Sequence, residues 1–133
     1  MAPLKVRCMD HINMDVSNLA ESVDFYRRLF GFEIKEDHSN DDKEPWVILG
    51  EAGVVYLCLY EHPDKKQDED ALSINHFGLV LSDFNGALQK LEEMGVEILY
   101  GGLIDWPHSR SIYISDPNGH KIELAEKVGG DLH

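Results

Sequence analysis

The sequence of 133 residues contains only two cysteines, Cys8 and Cys58, which are too few for a disulfide framework or a four-thiolate zinc site. Its longest apolar runs are far shorter than the roughly 18–20 residues that are needed to span a bilayer. No apolar stretch follows the basic residues near the N-terminus, as it would in a signal peptide. These absences predict a cytoplasmic protein without a membrane-spanning helix.

Basic residues are also scarce, since 12 Lys and Arg are set against 25 Asp and Glu, giving a formal net charge of −13. This charge disfavours nucleic acids and anionic membrane surfaces as partners, because both would be repelled. Two segments, 37–44 and 61–70, hold much of the acidic excess. The contents of 43% hydrophobic and 28% charged residues are ordinary for a globular protein.

Alternation of apolar and polar residues predicts strands, and apolar residues at helical spacing predict two helices. Residues 8–16 alternate, which places His11 and Asn13 together on one face of a strand. Helices are predicted over 19–30 and, after a cap at Asp83, over 84–94. Further strands are predicted over 32–36, 46–49, 54–60, 73–81, 96–100, 110–115 and 121–126, with a loop opened by the glycines at 101–102.

The two halves of the chain repeat one pattern. His11 and His76 are each followed, after five residues, by a serine, then by a helix, a glycine and a strand. The two histidines are 65 residues apart, and the glycines, Gly31 and Gly95, are 64 apart. The repeat predicts an α+β fold of two tandem βαβββ modules with curved mixed sheets. Together they form one domain over 1–133, with modules over 8–61 and 73–126, a linker over 62–72 and a tail over 127–133.

Three potential metal ligands fall on the strand faces that do not meet a helix, namely His11, His76 and Glu123. Two imidazoles and one carboxylate suit Fe(II), Mn(II), Zn(II) or Ni(II), and they leave coordination positions open for a substrate. Each side chain taken alone is more often a hydrogen-bonded or solvated group than a ligand. Their joint placement, with both histidines in register in the repeat, predicts a divalent metal site.

Several stretches of the chain resemble the vicinal-oxygen-chelate superfamily, which includes glyoxalases, extradiol dioxygenases, fosfomycin-resistance enzymes and bleomycin-binding proteins. The matching stretches are 10–16, 22–26, 29–32, 75–78, 109–113 and 116–124. The resemblance implies a glyoxalase-like fold with His11, His76 and Glu123 as the metal ligands. It also implies a homodimer in which clefts form between paired modules of the two chains.

This resemblance implies a metal-dependent enzyme that acts on a small oxygen-bearing substrate, without specifying one reaction. The candidates are a lyase or isomerase, a thiol–epoxide transferase and a ring-cleaving dioxygenase. Ser111 and Tyr113 are predicted to donate hydrogen bonds to developing negative charge, and His108 or Tyr60 is a candidate proton carrier. The residues predicted to line the substrate pocket are Asn13, Trp46, Tyr56, Cys58 and Tyr60.

Particular residues in the sequence favour some of these alternatives over others. Glyoxalase I is disfavoured because strand 54–60 holds no carboxylate to act as a further ligand and base. Fosfomycin inactivation is disfavoured because no arginine stands in the tail to bind a phosphonate. A metal-free protein that sequesters a toxic ligand or antibiotic is the alternative from another class. Retention of His11, His76 and Glu123 favours the enzyme.

Overall fold

The computed structural model describes residues 3–65 and 74–127. The chain divides into two compact units, unit 1 over residues 1–66 and unit 2 over residues 67–133. Most of the predicted linker, 62–72, and of the predicted tail, 127–133, lies outside the described residues. Within the two described ranges, no helix is both long enough and apolar enough to cross a membrane.

Each unit is a βαβββ module with its own four-stranded mixed sheet, so the predicted fold class is confirmed. Unit 1 contains β1 (Ile12–Val16), α1 (Leu19–Phe30), β2 (Glu33–His38), β3 (Trp46–Glu51) and β4 (Val55–Glu61). Unit 2 contains β5 (His76–Val80), α2 (Ala87–Glu93), β6 (Glu97–Trp106), β7 (Ser109–Ser115) and β8 (Lys121–Lys127). The strand orders are β1-β4-β3-β2 and β5-β8-β7-β6. Strand β1 runs parallel to β4, and β5 runs parallel to β8, whereas all other neighbouring strands are antiparallel.

Helix α1 covers one face of the unit 1 sheet. It begins after Asn18, whose side chain accepts a hydrogen bond from the Glu21 amide at 3.0 Å, and it ends at Gly31 with a left-handed φ of 70°. Tyr26 is fully buried, as is Leu49 of β3 beneath the helix face. Because this face of the sheet is covered by the helix, the alternate side chains of β1, β3 and β4 point to the opposite face.

Helix α2 is shorter than the sequence predicts, and the predicted helical start after Asp83 is wrong. Gly86 caps the helix with a left-handed φ of 83°, and no side chain caps it. Residues before Gly86 form a turn in which the Ala87 amide bonds to the Phe84 carbonyl at 3.1 Å. Phe84 is buried, and the Arg110 guanidinium lies 5.0 Å from its ring centroid. Phe84 is therefore a core residue that lies in a turn and not on the predicted helix.

The glycine pair at 101–102 lies inside strand β6, so the predicted loop is also wrong. The pairing of β6 with β7 shifts register between Leu99 and Ile104. Tyr100, Gly101 and Gly102 all have positive φ, at 56°, 80° and 104°. Glycine adopts such values without a steric penalty, so the strand bulges and continues.

Candidate metal and substrate site

A polar network lies on the open face of the unit 2 sheet and centres on Glu123. The β7–β8 register places Tyr113 opposite Glu123, with Ser111 two residues away on the same face. The Ser111 hydroxyl donates to Glu123 Oε1 at 2.7 Å, and the Tyr113 hydroxyl donates to the same oxygen at 2.9 Å. Two hydroxyls thus orient the carboxylate through one oxygen and leave Oε2 for another group.

The group that faces this second oxygen is His76. Its Nε2 lies 3.6 Å from Glu123 Oε2, and its ring packs edge-on against Tyr113 with centroids 5.3 Å apart at 81°. Gly78 pairs with Glu123 across β5 and β8, and a Cβ at Gly78 would lie 3.4 Å from Oε2. The lack of a side chain at Gly78 keeps the space beside that oxygen open. An imidazole nitrogen and a carboxylate oxygen therefore converge as two ligands of one ion would.

Both predicted histidine ligands are oriented by the residue that precedes them. His11 Nδ1 lies 2.6 Å from Asp10 Oδ2, and His76 Nδ1 lies 2.9 Å from Asn75 Oδ1. A carboxylate only accepts, so His11 donates from Nδ1 and keeps the Nε2 lone pair free when the ring is neutral. The Asn75 oxygen fixes His76 in the same way. This is the form in which histidine binds a metal, so the nitrogen and oxygen donors of this chain fit a divalent cation.

Electrostatics keep the Glu123 network in the state needed for a ligand. Burial disfavours ionisation of Glu123, but hydrogen bonds from Ser111 and Tyr113, with nearby His76 and Lys127, outweigh it and lower the pKa of Glu123 below its ordinary value. Burial, and then the hydrogen bond to Glu123, raise the pKa of Tyr113 to about 12. At neutral pH the carboxylate is therefore charged and the phenol remains a donor.

Unit 2 brings together four of the predicted site residues, His76, Ser111, Tyr113 and Glu123. The third predicted metal ligand, His11, belongs to unit 1. No group of three His, Cys, Asp or Glu side chains arranged to hold a metal occurs in the part of the chain that the structure describes. Each unit by itself offers an incomplete ligand set, and the full set of three stays a prediction.

The open face of the unit 1 sheet forms a cleft of about 450 Å³, which is of a size that holds small organic ligands. All five predicted substrate-lining residues border it, as does His11; they are Asn13, Trp46, Tyr56, Cys58 and Tyr60. The sequence reasoning missed four further lining residues, Asp10, Lys35, Glu36 and Ile48. Ile48 alternates with Trp46 along β3, so the period-2 pattern held the signal for it.

The predicted proton carrier His108 lies in the exposed turn between β6 and β7. Tyr113 pairs with Glu123, whereas Ser109, next to His108, pairs with Lys127. His108 precedes Tyr113 by five positions, which is about 17 Å along an extended strand. Unit 2 therefore does not bring His108 to the Glu123 network.

Cys58 occupies in unit 1 the position that Glu123 occupies in unit 2. The parallel strand pairs align Asn13 with Cys58 and Gly78 with Glu123. Cys58 is only 6% exposed, and burial raises the pKa of its thiol against a smaller opposing effect of the Tyr60 hydroxyl. A protonated, buried thiol at this position is neither a base nor a reactive nucleophile at neutral pH.

We expect iodoacetamide at pH 7.5 to alkylate exposed Cys8 and to leave buried Cys58 unmodified. Mass spectrometry of the native Cys8→Ser variant should show no adduct over a time in which the wild type gains one. The same variant unfolded in guanidinium is the control and should gain one adduct. Rapid labelling of native Cys8→Ser protein would contradict the buried, protonated thiol.

Comparison with known proteins gives a family match over most of the chain. The model described as the Glyoxalase/Bleomycin resistance protein/Dioxygenase superfamily matches residues 9–124. The metallothiol transferase FosB of Staphylococcus saprophyticus is 31% identical over 121 residues, covering 90% of this chain and 76% of that protein. FosB of Staphylococcus epidermidis is 32% identical over 127 residues, covering 90% of this chain and 83% of that protein.

A solved structure with the same fold is that of a mutant of the fosfomycin resistance protein FosX from Listeria monocytogenes. It was determined with Mn(II) and 1S,2S-dihydroxypropylphosphonic acid. The TM-score is 0.76 at 20% identity, covering 92% of this chain and 94% of that one. At this identity the likeness supports the fold and leaves the chemistry to the side chains of this chain.

Proposed function

This chain belongs to the glyoxalase/bleomycin resistance protein/dioxygenase superfamily, and from that premise we propose that it is a metal-dependent transferase that adds a thiol to a small epoxide. The observation that carries the proposal is the geometry of Glu123. Its Oε1 is held by two hydroxyls, and its Oε2 lies 3.6 Å from His76 Nε2. The relatives named metallothiol transferases support the choice of a thiol as the co-substrate.

The proposed ligand set is His76 and Glu123 of unit 2 with His11 of unit 1. The place of His11 rests on the sequence repeat and on the pairing of its Nδ1 with Asp10, which matches the pairing of His76 Nδ1 with Asn75. A divalent ion bound there would supply Lewis-acid polarisation of a substrate oxygen. Mn(II), Fe(II), Zn(II) and Ni(II) all suit these donors, and Mn(II) is the first to test because the FosX structure holds it.

The residues around the ligands would orient them and hold their charge state. Ser111 and Tyr113 both direct their protons at Glu123. We therefore assign them to positioning that carboxylate, in place of the predicted hydrogen bonds to developing negative charge. The proposal also includes the homodimer that the family resemblance implies and the cytoplasmic location that the composition predicts. His108 is not part of the proposed site.

The proposed reaction replaces one carbon–oxygen bond with one carbon–sulfur bond and moves one proton from sulfur to oxygen, without a redox step. The thiol sulfur bonds to an epoxide carbon, the carbon–oxygen bond of the ring breaks, and the thiol proton ends on the released oxygen as a hydroxyl. An isomerase that removes a proton from carbon needs a strong, well-placed base. Cys58 is protonated at the position equivalent to Glu123, so unit 1 lacks a second carboxylate there, and addition to an epoxide is the better fit.

Protein purified without a histidine tag should form thiol–epoxide adducts in a panel that pairs small epoxides with low-molecular-weight thiols. Adducts measured by mass spectrometry should disappear after treatment with EDTA and return with Mn(II), because the ion polarises the epoxide oxygen. The panel also contains hemithioacetals, and catechols under air. The variant His76→Ala should form no adduct, and Lys90→Ala, on the exposed face of α2, is the matched control. Turnover of a hemithioacetal or a catechol with no adduct from any epoxide would contradict the transferase.

A further inference from the structure

An aromatic stack that the proposed chemistry does not use borders the unit 1 cleft through two of its rings, those of Trp46 and Tyr60. The strand register aligns His38, Trp46 and Tyr60 side by side across β2, β3 and β4. The ring centroids of His38 and Trp46 are 4.0 Å apart at 12°, and those of Trp46 and Tyr60 are 5.6 Å apart at 15°. Since β3 lies between β2 and β4, the two neighbours cover opposite faces of Trp46, and its edge lines the cleft.

This aromatic stack is ordered by contacts within unit 1. His38 Nε2 lies 2.8 Å from Glu36 Oε1, which anchors the outer ring. Rings that are already fixed lose little conformational freedom when a ligand binds. A ligand ring lying over the edges of Trp46 and Tyr60 would make the edge-to-face contacts that aromatic pairs prefer.

The charges around the same cleft disfavour an anionic ligand. Among the residues that the structure describes, the cleft is lined by the carboxylates of Asp10 and Glu36 and by one ammonium group, that of Lys35. Lys35 Nζ lies 3.3 Å from Glu33 Oε2, so part of its charge is already compensated. A phosphonate dianion binds best where several cationic donors converge, and without a bound metal ion the side chains of this cleft would repel it.

The two sheets carry different chemistry at equivalent positions. Trp46 and Cys58 in unit 1 correspond by the 65-residue repeat to Ser111 and Glu123 in unit 2, and their strand pairings match. Unit 2 offers hydroxyls and a carboxylate at these positions, whereas unit 1 offers an aromatic ring and a neutral thiol. We infer that the unit 1 cleft binds a neutral aromatic group, which makes an aryl epoxide the substrate class if the proposed thiol transfer is correct.

Binding can be measured apart from catalysis with three diols that differ in one feature. Isothermal titration calorimetry in EDTA would compare 1-phenyl-1,2-ethanediol, 1,2-propanediol and 1,2-dihydroxypropylphosphonic acid. We expect the phenyl compound to bind about tenfold more tightly than either of the others, through its ring contacts. Trp46→Leu should remove this preference, and Trp46→Phe should retain most of it. Trp106→Leu, at an exposed tryptophan of unit 2, is the matched control and should retain all of it.

Equal or tighter binding of the phosphonate, or an aryl preference that survives in Trp46→Leu, would overturn the inference. The rates of thiol addition to styrene oxide and to fosfomycin then test the aromatic cleft and the proposed transferase activity separately. Faster addition to fosfomycin would leave the transferase standing and reject the aryl substrate. An aryl preference in binding without addition to either epoxide would leave the aromatic cleft standing and reject the transferase.

Discussion

The Glu123→Gln variant should lose metal binding and at least about 100-fold in kcat/KM for whichever panel substrate the wild type turns over. Partners that merely orient a metal ligand cost 10–100-fold when they are removed, and Glu123 is itself a proposed ligand. Glutamine keeps the size of the side chain and an oxygen that can accept from Ser111 and Tyr113. The loss would therefore report the missing negative charge and not a collapsed site. Metal content measured by elemental mass spectrometry, together with steady-state kinetics, checks both effects.

Glu126→Gln is the matched control, because Glu126 is another carboxylate on β8. It lies three residues further along, on the opposite face, and its Oε1 is 2.8 Å from Arg110 Nη2. We expect this variant to bind about one metal ion per chain, as the wild type does, and to remain within about twofold of its activity, since surface ion pairs contribute little. Equal metal content in the wild type and in both variants would reject Glu123 as a ligand.

The fold was largely predictable because its signals are local and repeated. Alternation along β1 and β8 and the helical spacing of α1 each specify an element, and the 65-residue offset shows that the modules are equivalent. The errors in helix and loop placement both involve glycine, whereas the alternating segment 8–16 becomes a strand only from Ile12. Gly86 and the pair at 101–102 adopt left-handed conformations, and the sequence does not distinguish a glycine that ends a helix or opens a loop from one that caps or bulges.

The candidate site was predictable as a set of residues but not as a set of contacts. Alternation places Glu123, Tyr113 and Ser111 on one face, yet their hydrogen bonds depend on the β7–β8 register. That register follows from the turn at 116–120, where Asp116 accepts from the His120 amide at 2.8 Å. The same register carries His108 away from the network. That displacement was available from the sequence, since five positions along a strand amount to about 17 Å.

The largest loss of stability from adding a single methyl group is expected for Gly50→Ala in unit 1. Gly50 is buried in β3 and pairs with Tyr56 of β4. A Cβ at Gly50 would lie 2.1 Å from the Val55 carbonyl oxygen and 3.0 Å from the Tyr56 Cα. Both atoms belong to the backbone, so the clash is relieved only by pulling β3 and β4 apart. We expect a loss of about 3 kcal/mol in the free energy of unfolding, measured by urea titration.

Gly53→Ala is the control, because Gly53 lies in the same β3–β4 hairpin with a φ of +77° and no atom within 4 Å of its Cβ position. An alanine there makes no steric clash, so the expected loss of stability is only that of a positive φ in a non-glycine residue, about 1 kcal/mol. The difference between the two variants therefore isolates the steric contact. Tyr56, the partner of Gly50, lines the cleft. In buffer without urea, where the protein is still folded, Gly50→Ala should therefore also weaken binding of 1-phenyl-1,2-ethanediol. Similar losses of stability in both variants would show that β3 and β4 are not as close at Gly50 as the pairing requires.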